Sequence, residues 1–71
     1  MGNKITKKNK LELYDGKYYG GIKIYKNKIL LHGKGVYNYN DGSSYKGFFN
    51  MNMRDGYGVY KDYYGYKSIL K

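Results

Sequence analysis

The chain has 71 residues, and 14 Lys and Arg against 5 Asp and Glu give it a formal net charge of +9. It contains 12 Tyr and 11 Gly but no Cys, Pro or Trp. A chain of this length forms one small domain with a marginal core, and without cysteine it has no disulfides or thiolate sites. Its longest purely apolar run, Ile29-Leu30-Leu31, is far too short to span a membrane. The excess of positive charge favours an anionic partner.

The N-terminus carries a pattern for lipid attachment. Residues 1–6, MGNKIT, satisfy the myristoylation pattern Met-Gly-x-x-x-Ser/Thr, which makes Gly2 the predicted lipidation site. A myristoyl chain alone binds membranes reversibly, with a constant of about 10⁴ M⁻¹, and each nearby lysine adds about 1 kcal/mol at an anionic leaflet. The residues predicted to bind anionic lipid are Lys4, Lys7, Lys8 and Lys10. Residues 1–10 are therefore predicted to be a flexible basic tail that anchors the chain, and the alternative is a solvated tail without an acyl group.

The rest of the chain has strand signals and no capped helical periodicity. Short runs of β-branched and aromatic residues predict strands at 18–25, 29–32, 34–39, 44–49, 56–61 and 64–69. The turn-forming Asn40-Asp41-Gly42-Ser43 and the longer polar stretch 50–55 separate some of these runs. The pattern predicts an antiparallel meander with at most a short helical turn at the C-terminus.

Comparison of the chain with itself reveals a repeat. The pattern Asp-Gly-x-x-Tyr-x-Gly occurs at 15–21 and again at 41–47, and x-Gly-x-Gly-Val-Tyr occurs at 32–37 and 55–60. Glycines two apart lie on one face of a strand, where they leave room for aromatic rings from neighbouring strands to lie flat on the backbone. A layer of Tyr and Phe on bare backbone is therefore predicted in place of an aliphatic core between two layers.

The two units differ in length. Gly33 and Gly56 are 23 residues apart, whereas Gly16 and Gly42 are 26 apart. The earlier unit therefore has about three extra residues, which we place within 21–31.

These residues resemble the MORN (membrane occupation and recognition nexus) repeat. The resemblance implies an all-β fold: a single-layer, elongated antiparallel meander of β-hairpin repeats. It implies a truncated repeat at 11–18, full repeats at 19–44 and 45–67, and a tail at 68–71. The predicted signature residues are Tyr19, Gly21, Gly33, Gly35, Tyr37, Asp41, Gly42, Tyr45, Gly47, Phe49, Gly56, Gly58, Tyr60 and Gly65.

The resemblance also implies a function. MORN repeats serve as non-enzymatic scaffolds, and the family is linked to membranes. Together with the basic N-terminus and the acylation pattern, the resemblance predicts attachment to the cytoplasmic face of a membrane by anionic-lipid binding and N-myristoylation, with the sheet presented for dimerisation or protein binding. No cofactor or metal is predicted. The alternative is a single-stranded nucleic-acid-binding module that uses Lys and Tyr. Its candidate stacking residues are Tyr14, Tyr25, Tyr57, Tyr63, Tyr64 and Tyr66.

Four other residues are of types that often take part in catalysis or phosphate binding, but the sequence does not support such a role for them. Lys34 lies between two glycines, but no helix with Gly-Lys-Ser/Thr follows as a phosphate-binding loop requires. His32 has no second ligand or nucleophile beside it in the sequence and is predicted to be structural. Asp15 and Asp41 are predicted to accept hydrogen bonds from backbone N–H groups two residues further on.

Overall fold

The computed structural model describes residues 9–71, and these form one open sheet of six strands without any helix. The strands pair in the order β1-β2-β3-β4-β5-β6, each antiparallel to its neighbours. The all-β antiparallel meander is therefore confirmed. Its principal extents are 41 × 24 × 20 Å, so the described part is elongated. The strands are β1 (Asn9–Leu13), β2 (Gly16–Tyr25), β3 (Lys28–Tyr39), β4 (Ser44–Asn50), β5 (Met53–Lys61) and β6 (Lys67–Leu70).

The strand boundaries differ from the prediction in the middle of the chain. One continuous strand, β3, replaces the two predicted at 29–32 and 34–39, because Gly33 has a φ of 90° and forms a bulge without ending the strand. The polar stretch 50–55 is not a long loop. Met51 and Asn52 both have positive φ and make a two-residue turn, so β5 already begins at Met53.

Both ends of the sheet extend further than the sequence suggested. β1 begins at Asn9, so Asn9 and Lys10 belong to a strand and not to the N-terminal tail. The strand predicted at 64–69 is β6, but it spans Lys67–Leu70: residues 64–66 belong to the preceding turn, and residues 68–70 do not form the predicted tail or a helical turn. Each of these two strands has an open ladder beside it, on β2 and β5 respectively, and pairing with that ladder outweighs a local sequence of modest strand propensity.

A row of glycines crosses the middle of the sheet. Gly20, Gly35, Gly47 and Gly58 lie opposite one another on β2 to β5. We call these four residues the glycine row. A Cβ atom placed on any of them would lie within 3 Å of backbone or of a tyrosine side chain. Neighbouring backbones and rings therefore approach closely where side chains are missing.

A row of tyrosines lies beside the glycine row on the same face of the sheet, and we call this face the aromatic face. Tyr18, Tyr37, Tyr45 and Tyr60 pair across β2 to β5. The ring of Tyr18 covers Gly35, and the ring of Tyr45 covers Gly58. These two rings are almost completely buried, at 1% and 0% exposed, although the described residues form only one layer.

The tyrosine hydroxyls repeat the same contact in both units. Tyr18 donates to the carbonyl of Gly21 at 2.7 Å, and Tyr45 donates to the carbonyl of Phe48 at 3.2 Å, three residues ahead in each case. Tyr18 in β2 therefore occupies the place that Tyr45 occupies in β4. The sequence alignment, which matched Tyr19 and Gly21 to Tyr45 and Gly47, is one residue out of register there. Tyr19 is 44% exposed on the other face.

Phe49 and Arg54 complete the packing on the aromatic face. The Phe49 ring meets Tyr18 and Tyr45 edge-on, with centroids 5.4 and 5.2 Å apart. The Arg54 guanidinium lies 4.9 Å from the Tyr45 ring centroid and donates to the Tyr39 hydroxyl at 2.9 Å. Aromatic edges and a cation thus cover rings that a second layer of structure would otherwise bury.

Candidate functional site

The connections between strands divide the sheet into two ends. The turns at 14–15, 40–43 and 62–66 lie at one end, which we call the acidic end. The turns at 26–27 and 51–52 lie at the other end, which we call the basic end. The chain enters β1 on the side of the basic end, because Asn9 lies opposite Gly20 and β2 continues from there towards its turn at 26–27.

Charge is distributed unequally between these ends. Among residues 9–71, Asp55 is the one acidic residue that lies between the glycine row and the basic end. The cations on that side are Lys23, Lys26, Lys28, Lys34, Arg54 and Lys71. On the acidic side, four carboxylates offset most of the lysines, and these carboxylates are Glu12, Asp15, Asp41 and Asp62. The described residues therefore have a positive field concentrated at the end that carries the turns at 26–27 and 51–52.

The aspartates in the turns of the acidic end accept structural hydrogen bonds. Asp41 accepts from the Ser43 backbone N–H at 2.9 Å and from its hydroxyl at 2.5 Å, which confirms the predicted turn contact and lowers the pKa of the Asp41 carboxyl. Asp62 accepts from two backbone N–H groups of its own turn, each at 3.0 Å. These contacts stabilise turns and form no acid–base pair.

Asp15 differs from its predicted role. Its carboxylate accepts a hydrogen bond from the Tyr37 hydroxyl, not from a backbone N–H two residues on. Burial raises the pKa of Tyr37, and the hydrogen bond and negative charge of Asp15 raise it further. Asp15 therefore ties the turn at 14–15 to the core, and local turn patterns could not have indicated this long-range contact.

His32 and Asn52 connect the first hairpin to the second. The backbone N–H of Met51 donates to His32 Nδ1 at 3.3 Å, so the histidine has a structural hydrogen bond. The Asn52 side chain accepts from the Leu31 N–H at 2.7 Å, while the Asn52 N–H donates to the Leu31 carbonyl at 2.9 Å. The base of the β2–β3 hairpin is thereby fixed to the turn at 51–52.

Many of the lysines lie on the face of the sheet opposite the aromatic face. We call this second face the open face. Its exposed lysines, in strand order, are Lys10, Lys17, Lys23, Lys34, Lys46, Lys61 and Lys67. Exposed Tyr19 and Phe48 lie among them. Apart from Lys10, these lysines are not among the predicted site residues. Alternation with core residues, as in Tyr45-Lys46-Gly47, is the signal that could have placed them on one face.

The predicted lipid-binding residues are only partly within the described range. Lys10 is exposed on the open face, opposite Tyr19. The other predicted positions, Gly2, Lys4, Lys7 and Lys8, lie outside residues 9–71. Lys10 therefore links the described basic surface to the basic segment that precedes it in the sequence.

The candidate stacking tyrosines are exposed but lie in different parts of the sheet. Tyr14 lies in a turn at the acidic end, whereas Tyr25 lies beside the turn at 26–27 at the basic end. Tyr63 and Tyr64 stack on each other with centroids 4.2 Å apart. The structure therefore does not bring these tyrosines together into one platform.

Two kinds of feature were sought among the residues that the structure describes, a metal-binding cluster and a membrane-spanning helix. Residues 9–71 contain no group of three or more residues that could hold a metal ion. The same residues contain no helix long and apolar enough to cross a bilayer.

A single-layer sheet built from repeated hairpins, with tyrosine rings lying on glycine backbone, defines a β-repeat protein. The family model of the MORN repeat matches residues 28–44 and 45–63. The chain belongs to the MORN repeat family, which indicates a repeat-based binding or scaffold role in a generally non-enzymatic family. Neither the curated proteins nor the solved structures gave a match.

Proposed function

We propose that this chain is a non-enzymatic scaffold that attaches to the cytoplasmic face of a membrane through its basic end and its N-terminal lysines. The segregation of charge along the strands carries the proposal. The turns at 26–27 and 51–52 and the entry into β1 all lie on the basic side, and the carboxylate turns lie on the opposite side. An anionic surface would therefore orient the sheet with its basic end inward.

The N-terminus adds to this attachment. The basic segment containing Lys4, Lys7 and Lys8 precedes Asn9, and the chain enters the sheet on the basic side. N-myristoylation of Gly2 would supply a second, hydrophobic anchor, since stable attachment takes an acyl chain plus a polybasic patch. Anionic lipids are concentrated in the cytoplasmic leaflet, and MORN repeats are often membrane-associated.

Vesicle binding tests the proposed attachment. The unacylated chain is expected to sediment with phosphatidylcholine vesicles that contain phosphatidylserine, but not with pure phosphatidylcholine, and added salt should weaken the binding because it screens charge. Co-expression with N-myristoyltransferase should strengthen the binding, and Gly2→Ala should remove that gain. Tighter binding to a single-stranded oligonucleotide than to phosphatidylserine vesicles at the same salt would favour the nucleic-acid alternative, which exposed Tyr19 and Phe48 among the lysines support.

We propose further that a second copy of the chain or a partner protein pairs with the edges of the sheet. β1 and β6 each have a neighbouring strand on one side, and two matched repeats are fewer than the three or so that give such arrays stability. Light scattering after size exclusion is expected to show a dimer at micromolar concentration. A stably folded monomer would contradict self-association.

A further inference from the structure

We propose that the tip of the β2–β3 hairpin inserts into the acyl-chain region of an anionic bilayer. This inference rests on the proposed membrane attachment and goes beyond it, because it names a segment that penetrates the lipid. The hairpin comprises residues 22–31, and Ile24 and Ile29 form the apolar part of its tip.

The hairpin projects beyond its counterpart in the second repeat. Past the bulge at Gly33, four residue pairs lead from Ile22 and Leu31 to the turn. Past the equivalent bulge at Gly56, two pairs lead to the turn at 51–52. Two additional pairs lengthen the hairpin by about 7 Å at 3.3 Å per residue. The extra residues inferred from the repeat spacing therefore form a protruding tip at the basic end.

The tip is apolar on one side and basic on the other. Ile24 pairs with Ile29, and these side chains are 68% and 54% exposed. They lie on the same face of the hairpin as Leu31, which is buried in the core, and Ile22, which packs against the core. Exposed lysines surround the tip, and Lys26 lies with its Nζ 5.3 Å from the centroid of the exposed Tyr25 ring. The other two exposed lysines around the tip are Lys23 and Lys28.

This combination fits an anionic lipid interface better than other polyanions. Exposed isoleucines gain free energy in the acyl region, while lysines reach phosphates and tyrosine favours the headgroup level. The Ile24–Ile29 pair would contribute little to binding a nucleic acid, because stacking on bases requires aromatic rings. No acidic residue occurs between Asp15 and Asp41, so the whole hairpin and its supporting strands are compatible with an anionic surface. The two-residue turn and the Asn52 contacts with Leu31 hold the tip in place.

A single tryptophan measures the insertion, because the chain has no natural tryptophan. In Tyr25→Trp, vesicles containing phosphatidylserine are expected to shift the emission to shorter wavelength, and brominated acyl chains should quench it. Tyr64→Trp, at the acidic end, should show neither change while the protein sediments equally well. Sedimentation without quenching in Tyr25→Trp overturns the insertion and leaves the proposed attachment intact. Failure of both proteins to sediment overturns the attachment, and the insertion with it.

A second pair of variants measures the contribution of the isoleucines. Ile24→Thr with Ile29→Thr keeps two β-branched residues in exposed strand positions, so the hairpin should still form. Vesicle partition is expected to fall about tenfold or more because two apolar side chains no longer enter the lipid. The matched control is Ile69→Thr on β6, where the side chain is 55% exposed and away from the tip. Equal partition of the double variant and the control would overturn the insertion.

Discussion

Gly58→Ala is expected to lower the free energy of unfolding by about 3 kcal/mol, because overpacking a filled site typically costs 1–3 kcal/mol. A Cβ at Gly58 would lie 2.5 Å from Cζ of Tyr45, and the Tyr45 ring is fully buried and cannot move aside cheaply. A folded chain of this size has a stability of about 4–10 kcal/mol. The variant should therefore lose a large part of its stability, as measured by urea unfolding followed by circular dichroism.

Gly56→Ala is the matched control for Gly58→Ala. Gly56 lies two residues away in β5, and a Cβ there meets no atom within 4 Å, but its φ of 72° is left-handed. The expected cost is about 1 kcal/mol of backbone strain. Equal destabilisation by the two substitutions would contradict the packing of tyrosine rings on the glycine row.

Neutralising the lysines of the hairpin tip is expected to weaken vesicle binding about a hundredfold. Each lysine near an anionic leaflet contributes about 1 kcal/mol, and the variant Lys23→Gln, Lys26→Gln, Lys28→Gln removes three of them. About 3 kcal/mol corresponds to a factor of roughly 150 in the binding constant. The measurement is the partition coefficient on phosphatidylserine-containing vesicles at physiological salt.

The control variant removes the same charge from the acidic end. Lys17→Gln, Lys61→Gln, Lys67→Gln acts at open-face positions about 20 Å along the strands from Lys23. This separation exceeds the Debye length of about 8 Å, so the expected loss is no more than about threefold. Similar losses from the two variants would show that only total charge determines the binding.

The all-β meander could be predicted from the sequence because each repeat contains local signals for its turns and for its strand packing. Asp41 and Gly42 indicate the turn between two strands, and the Gly-x-Gly pairs leave room for tyrosine rings. β1 could not be predicted and β6 only with shifted bounds, since their pairing depends on open ladders contributed by β2 and β5. The shift from Tyr19 to Tyr18 was missed because two adjacent tyrosines and two adjacent glycines fit the repeat equally well.

The candidate site was less predictable than the fold. Local patterns singled out Lys10 together with residues outside the described range, whereas the basic end consists of lysines spread from Lys23 to Lys71. Only the antiparallel connections bring these lysines to one end and the carboxylate turns to the other. Strand alternation in the sequence gives the face of each lysine, but the end of the sheet on which it lies follows from the topology.

Hydrogen exchange on the unmodified chain, free and bound to phosphatidylserine-containing vesicles, tests the orientation of the sheet most directly. Attachment through the basic end predicts slower exchange at the hairpin of residues 22–31 on binding. The turns at 14–15, 40–43 and 62–66 should exchange at the same rate in both states. Slowing at those acidic-end turns, or no slowing at the hairpin in a chain that sediments with the vesicles, would contradict attachment through the basic end.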